Sequence, residues 1–182
     1  MLTLAGGGIA AWLHNRPTPA RLRVLDGGDF DTEWGVTMRT KPKEPVSIGG
    51  IMVCLDRPGR IEVTGLAFMD TGGVTLRRAA IRQIDTTRRA GLGADRLDLA
   101  HAGFPPTAVA TATCGKKPEQ PLTELAFEVV NTSPRTVKSR DLLISYCSGH
   151  SNQTFKIPVQ VILCAPTDET GDCTTVPGAV SD

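Results

Sequence analysis

The chain is poor in aromatic residues, carries almost no surplus charge and has no closely spaced cysteines. Its 182 residues include five Phe, two Trp and one Tyr, too few for the stacking platforms of single-strand nucleic-acid binders or of many carbohydrate sites. Twenty Lys and Arg stand against nineteen Asp and Glu, a net charge of +1, so no chain-wide field draws phosphate backbones or acidic substrates. Nucleic acid is excluded as a partner class on that ground. No CxxC pair and no Cys/His cluster is present, which argues against zinc. The chain also lacks a Walker A loop, a G-x-S-x-G elbow and a dinucleotide fingerprint, since Gly91-Leu92-Gly93 has neither the third glycine nor a preceding strand. No cofactor is implied.

What the chain does have is strand-forming patterning between turns. Hydrophobic residues make up 40% and charged residues 21%, with 19 Gly and 13 Pro, a globular balance rich in turns. A domain of this size buries roughly 70% of the surface its unfolded chain exposes, so disulfides are not required merely to supply a core. The core must be aliphatic.

Residues 33–39 alternate with a period of two, and residues 46–55 and 60–68 are β-rich runs separated by Asp56-Arg57-Pro58-Gly59. Pro followed by Gly favours a type II turn, and the two runs read as a hairpin. Residues 74–84 fit neither the helical nor the strand period cleanly, and their neighbours favour strand. Residues 85–106 read as a long surface loop with one helical turn near 95–100, followed by a short strand over 107–113. In 122–131, Leu125, Phe127 and Val129 alternate with Glu124 and Glu128. Residues 136–147 and 153–164 make a second hairpin through Ser148 to Asn152, with Pro158 marking an edge or a bulge.

This spacing predicts an all-β fold, an immunoglobulin-like or related antiparallel β-sandwich of about seven to nine strands, with a β-barrel as the alternative. The layout resembles immunoglobulin-like modules in strand spacing only. Trp34 precedes every cysteine, so the Cys-Trp-Cys order of true immunoglobulin domains is missing. No residue roles carry over.

Residues 1–20 divide off as an apolar segment and linker, 21–166 as the sandwich, and 167–182 as a C-terminal tail. Met1 to Leu13 is uncharged and mostly apolar. It is too short to span a bilayer and reads as a truncated anchor or signal, competing with an ordinary buried element. Arg16, Arg21 and Arg23 after it run against the anchor reading. The anchor reading places the domain outside the cytoplasm, in the cell envelope or secreted, where five cysteines favour disulfides over buried thiols. Cys164 and Cys173 enclose a polar loop that a disulfide would close. Cys114 with Cys147 is the second pairing expected, Cys114 with Cys164 its alternative, and Cys54 is then the free thiol.

Asp26, Asp29 and Asp31 lie on a glycine-containing loop and offer hard oxygen ligands to Ca²⁺, although EF-hand spacing is absent. His101 and His150 both fall in loops. Asn131 and Asn152 head N-glycosylation patterns. Arg77-Arg78 and Arg88-Arg89 read as solvated surface. The function expected is a non-enzymatic binding or structural module of the cell envelope or extracellular space, with a protein partner and a possible membrane tie through its N-terminal segment. The alternatives are a small secreted enzyme or ligand carrier using the 85–106 loop as a lid, and a structural domain of a larger assembly. A deep polar pocket holding His101 or His150 beside a carboxylate would favour the enzyme.

Overall fold

The computed structural model describes residues 18–25, 34–70, 72–84, 91–115 and 122–174. Its strands in chain order are β1 (Leu22–Val24), β2 (Trp34–Arg39), β3 (Pro45–Leu55), β4 (Ile61–Asp70), β5 (Val74–Ile84), β6 (Ala94–Asp95), β7 (Val109–Ala110), β8 (Leu122–Asn131), β9 (Val137–Ser148) and β10 (Ser151–Cys164), followed by a 3₁₀ turn at Gly171–Cys173. They form two sheets. The first runs β1-β3-β8-β5, with β6 also on β3, and the second runs β2-β10-β9-β4-β7. The chain is all-β, as the alternation predicts.

Period-two patterning places the aliphatic residues between the sheets. Val46 and Ile48 of β3 and Leu125, Phe127 and Val129 of β8 share one core cluster with Leu142 and Ile144 of β9 and Ile157, Val159 and Val161 of β10. Phe68 and Phe127 meet edge to face with ring centroids 6.4 Å apart, a favoured aromatic geometry. Tyr146, the single tyrosine, ties β1 to this core. Its hydroxyl accepts from the Leu22 amide at 3.2 Å and donates to Gln153 Oε1 at 3.0 Å.

Residues 74–84 are a strand, paired along their length with β8. The β9–β10 hairpin forms as expected, and the register shifts between Ile157 and Gln160. Pro158 thus sits at a bulge, which spares the ladder its missing N–H.

Three expectations need correction. Asp56 to Gly59 does not join a hairpin: β3 and β4 lie in different sheets. The turn instead binds β1, with the Asp56 amide donating to Arg21 O at 3.0 Å and Asp56 Oδ1 accepting from the Arg21 amide at 2.8 Å. Strand β1 thereby lies antiparallel to the end of β3. The sandwich is also not wholly antiparallel, because β2 runs parallel to β10. Near residues 95–100 there is a short strand and a turn in place of the expected helical turn.

Candidate functional site

The outer face of the first sheet carries the chain's densest chemistry. On β8, Glu124 is 0% and Glu128 4% exposed, so the polar face marked by the alternation is covered as well as the apolar one. The cover is the segment from Gly91 to Phe104. Leu92, Leu99, Ala102 and Phe104 pack with Ala80 and Ala126 into a second small core on this outer face.

Cross-strand register supplies the counter-charges. Arg82 stands opposite Glu124 and Arg78 opposite Glu128. The Arg82 guanidinium grips Glu124 Oε2 through Nε and a terminal nitrogen, both at 2.8 Å. Its other arm donates to Ala102 O at 3.0 Å, and it lies 4.1 Å over the Phe104 ring. Glu124 Oε1 accepts from the Gly50 and Leu92 amides, each at 2.6 Å. Glu128 accepts from Arg78 at 3.3 Å and from the Leu99 amide at 3.2 Å, with Arg77 at 3.5 Å. Each carboxylate thus holds one stretch of the covering segment by a backbone amide.

The glycines make that approach possible. Gly50 has φ +81° at a bulge in β3, a conformation that favours glycine. A Cβ on Gly91 would fall 2.8 Å from Gly50 Cα. The Gly91-Leu92-Gly93 run is thereby a close-packing device against Gly49-Gly50. The signal for this face lay in the sequence as two pairs of equal spacing, Arg78/Arg82 and Glu124/Glu128, and reading Arg77-Arg78 as solvated surface missed it.

The other expected site residues are scattered. His101 is paired with Asp98 (Nδ1 to Oδ2, 2.8 Å), but its side chain is 75% exposed. That turn also holds the Asp98 carboxyl below the usual carboxylate range, chiefly through the His101 amide. His150 is exposed in the β9–β10 turn. Asn131 is buried, donating to Arg135 O and accepting from the Ser133 amide, which closes it to glycosylation. Asn152 is exposed. Asp26, Asp29, Asp31, Arg88, Arg89 and residues 1–13 lie outside the described residues. Among the described residues no three His, Cys, Asp or Glu side chains gather as a metal set, and no helix is long and apolar enough to cross a membrane.

Two disulfides are present, Cys54–Cys114 and Cys164–Cys173, and Cys147 is the free thiol. The expected Cys114–Cys147 pair and the free Cys54 are therefore wrong. The chain around 112–114 runs beside the end of β3, with the Leu55 amide donating to Ala112 O and the Cys114 amide to Leu55 O, each at 2.8 Å. That brings the Cys54 and Cys114 Cα atoms to 4.9 Å. Cys147 belongs to the other sheet. Two such bonds fit an oxidising compartment.

The Cys164–Cys173 bond closes a clip from residues assigned above to the tail. Inside it the Arg39 guanidinium donates to the carbonyls of Ala165, Pro166, Asp168 and Cys173 at 2.8–3.3 Å. Asp168 accepts from the Thr136 hydroxyl and from the hydroxyl and amide of Thr170. These bonds, that from Thr136 foremost, hold its carboxyl down to about 2 from an ordinary 3.8. A depressed carboxylate pKa stabilises the fold above the unfolded value, and the contribution fades as pH falls from about 4 toward 2. Asp168→Asn is expected to lower the urea midpoint at pH 6, with the gap to wild type closing below pH 4. Parallel curves down to pH 2 would refute the assignment.

Two surface grooves are lined wholly by described residues. One, of about 550 Å³, lies between β1 and the start of β10 and is lined by Arg21, Arg23, Tyr146, Gln153, Thr154 and neighbours. The other, of about 210 Å³, lies between β4 and β5 and is lined by Val63 to Leu66, Leu76 to Ala79 and Ala108. Both are walled by arginine, hydroxyl, amide and apolar groups, and neither has His, Cys, Asp or Glu in its lining.

No protein-family model matches the chain, and no curated protein does. Among solved structures, the VesB protease of Vibrio cholerae aligns over 84% of this chain and 34% of its own, with a TM-score of 0.31 and 10% identity. The chain thus spans about a third of that protein, and so weak a likeness carries no argument.

Proposed function

We propose that this domain is a non-enzymatic recognition module of an extracytoplasmic compartment, in the cell envelope or secreted, that binds a protein partner along its strand edges. Its immunoglobulin-like character and a membrane tie through residues 1–13 belong to the same proposal. The observation that carries it is the make-up of the two grooves. Each lies against strands of both sheets, and each is lined by hydrogen-bonding, cationic and apolar side chains with no carboxylate, imidazole or thiol for acid–base or nucleophilic work. The long loop supports the same reading. Over 91–104 it is fastened to Glu124, Glu128 and Ser47, a poor starting point for a lid, which must open and close.

The test sets binding against turnover. The disulfide-bonded domain, immobilised, is expected to retain a protein from envelope or secreted fractions of its producing cells, and to lose it after reduction and unfolding. Turnover of chromogenic esters, peptides or glycosides that disappears in His101→Ala or His150→Ala would overturn the proposal in favour of a secreted enzyme.

A further inference from the structure

Strands β4 and β5 follow one another in the chain but lie in different sheets, and no ladder joins them: β5 ends the first sheet, and β4 is followed in the second only by the two-residue β7, which pairs with Ile61 and Glu62. Each is bulged at the same level. Thr64 is the extra residue where β4 passes from Val63 to Gly65 against β9, and Arg77 where β5 passes from Leu76 to Arg78 against β8. Both bulged residues line the smaller groove. Five of its lining residues, Val63, Leu66, Leu76, Ala79 and Ala108, are apolar and only partly buried against the main core. Among the described residues no strand pairs with the outer edge of β4 beyond Val63 or with the outer edge of β5 at this level, and the five apolar side chains are left between them.

One end of the slot is already filled in the way an added strand would fill it. The Val63 amide of β4 donates to Ala108 O at 2.9 Å, and the Ile81 amide of β5 donates to Thr107 O at 3.1 Å. A short extended piece of the chain therefore bridges both walls by its backbone and stops at Ala110. The slot also carries surplus positive charge, because Arg77 and Arg78 share the single carboxylate of Glu128 at 3.5 and 3.3 Å. Its 210 Å³ falls below the roughly 300–1,000 Å³ of small-molecule sites, which suits side chains of a strand better than a whole ligand.

We propose that the β4–β5 slot receives an extended segment of a partner protein, about four residues long, that pairs by its backbone with the slot walls. The segment places an aliphatic side chain between Leu66 and Leu76 and a carboxylate near Arg77. This is strand addition, in which main-chain bonds supply affinity and alternate side chains supply selectivity. It rests on the protein-recognition reading above and names the surface and the chemistry of the partner.

The probe is a blocked, fluorescein-labelled peptide alternating valine and threonine with one central aspartate, alongside versions with lysine for aspartate and with serine for valine. The expected result is saturable anisotropy for the aspartate peptide, slowed amide exchange at Gly65, Leu66 and Arg77, and at least tenfold weaker binding of both control peptides. Arg77→Glu should reverse the preference between aspartate and lysine. Thr64→Glu, at an exposed position, should weaken the aspartate peptide without touching the Glu128 ion pairs, which guards against a folding defect in the first variant. Equal binding of the three peptides, protection elsewhere on the domain, or concentration-dependent protection of the slot by a second copy would overturn the proposal. If a captured partner protein is indifferent to Thr64→Glu, the slot assignment fails while protein recognition stands.

Discussion

Arg82→Ala is expected to destabilise the domain by about 3–5 kcal/mol, the range for removing one partner of a buried ion pair. The carboxylate it leaves behind, Glu124, has no exposed surface from which to recruit water. The obvious rescue, replacing Arg82 and Glu124 together by apolar residues, is expected to recover only part of the loss. Glu124 Oε1 is also the acceptor for the Gly50 and Leu92 amides, in two part-buried hydrogen bonds, and losing both removes about 0.5–1.5 kcal/mol each, or more where the freed amide stays shielded from water. A useful contrast is Arg77→Ala. Its side chain is 50% exposed and sits 3.5 Å from Glu128, so a change below about 1 kcal/mol is expected. Urea unfolding gives the magnitudes, and amide exchange at Leu92 and Leu99 gives the location, since those amides should exchange early once the covering segment loosens. An Arg82→Ala domain within 1 kcal/mol of wild type would show that the segment is held by its apolar contacts alone.

The second large effect is covalent. Cys54–Cys114 closes a sequence separation of 60 residues and Cys164–Cys173 one of 9. On the loop-entropy relation the first bond is worth about 4 kcal/mol and the second about 2.5. Cys54→Ala with Cys114→Ala should therefore lower the unfolding midpoint more than the corresponding pair at the clip. A non-reduced digest is expected to give one Cys54–Cys114 linked peptide, one closed Cys164–Cys173 peptide and a single alkylatable thiol at Cys147. A Cys114–Cys147 link in that digest would mean the two sheets are stapled to each other, contrary to the structure.

The strands were legible where local pattern and burial agree. In β8 the alternation of Leu125, Phe127 and Val129 with Glu124 and Glu128 gave both the strand and its inner face. The outer face was not legible, because its cover comes from residues some 30 positions upstream that carry no strand or helix period. Pro58-Gly59 was read as a hairpin turn because turn chemistry dictates a reversal and not which sheet receives the next strand. Here the pairing of Asp56 with Arg21 commits the turn to β1 and sends β4 across the core. The same long-range step hid the Cys54–Cys114 bond, since its geometry depends on Ala112 and Leu55 meeting. Of the functional chemistry, the matched spacing of two arginines and two glutamates was visible in principle. The β4–β5 slot was not, because it depends on two consecutive strands being sent to different sheets.

The parallel pairing of β2 with β10 also sets an order of events. Trp34 finds its register partner at Val159, so for a chain emerging N-terminus first, β2 has no neighbour in its sheet until nearly the whole domain has been made. Pairing at such separation is slow to form and leaves early strands exposed while they wait. A nascent chain stopped before β10 would hold every strand of the first sheet and the paired β9-β4-β7 part of the second, with β2 alone left waiting for its neighbour.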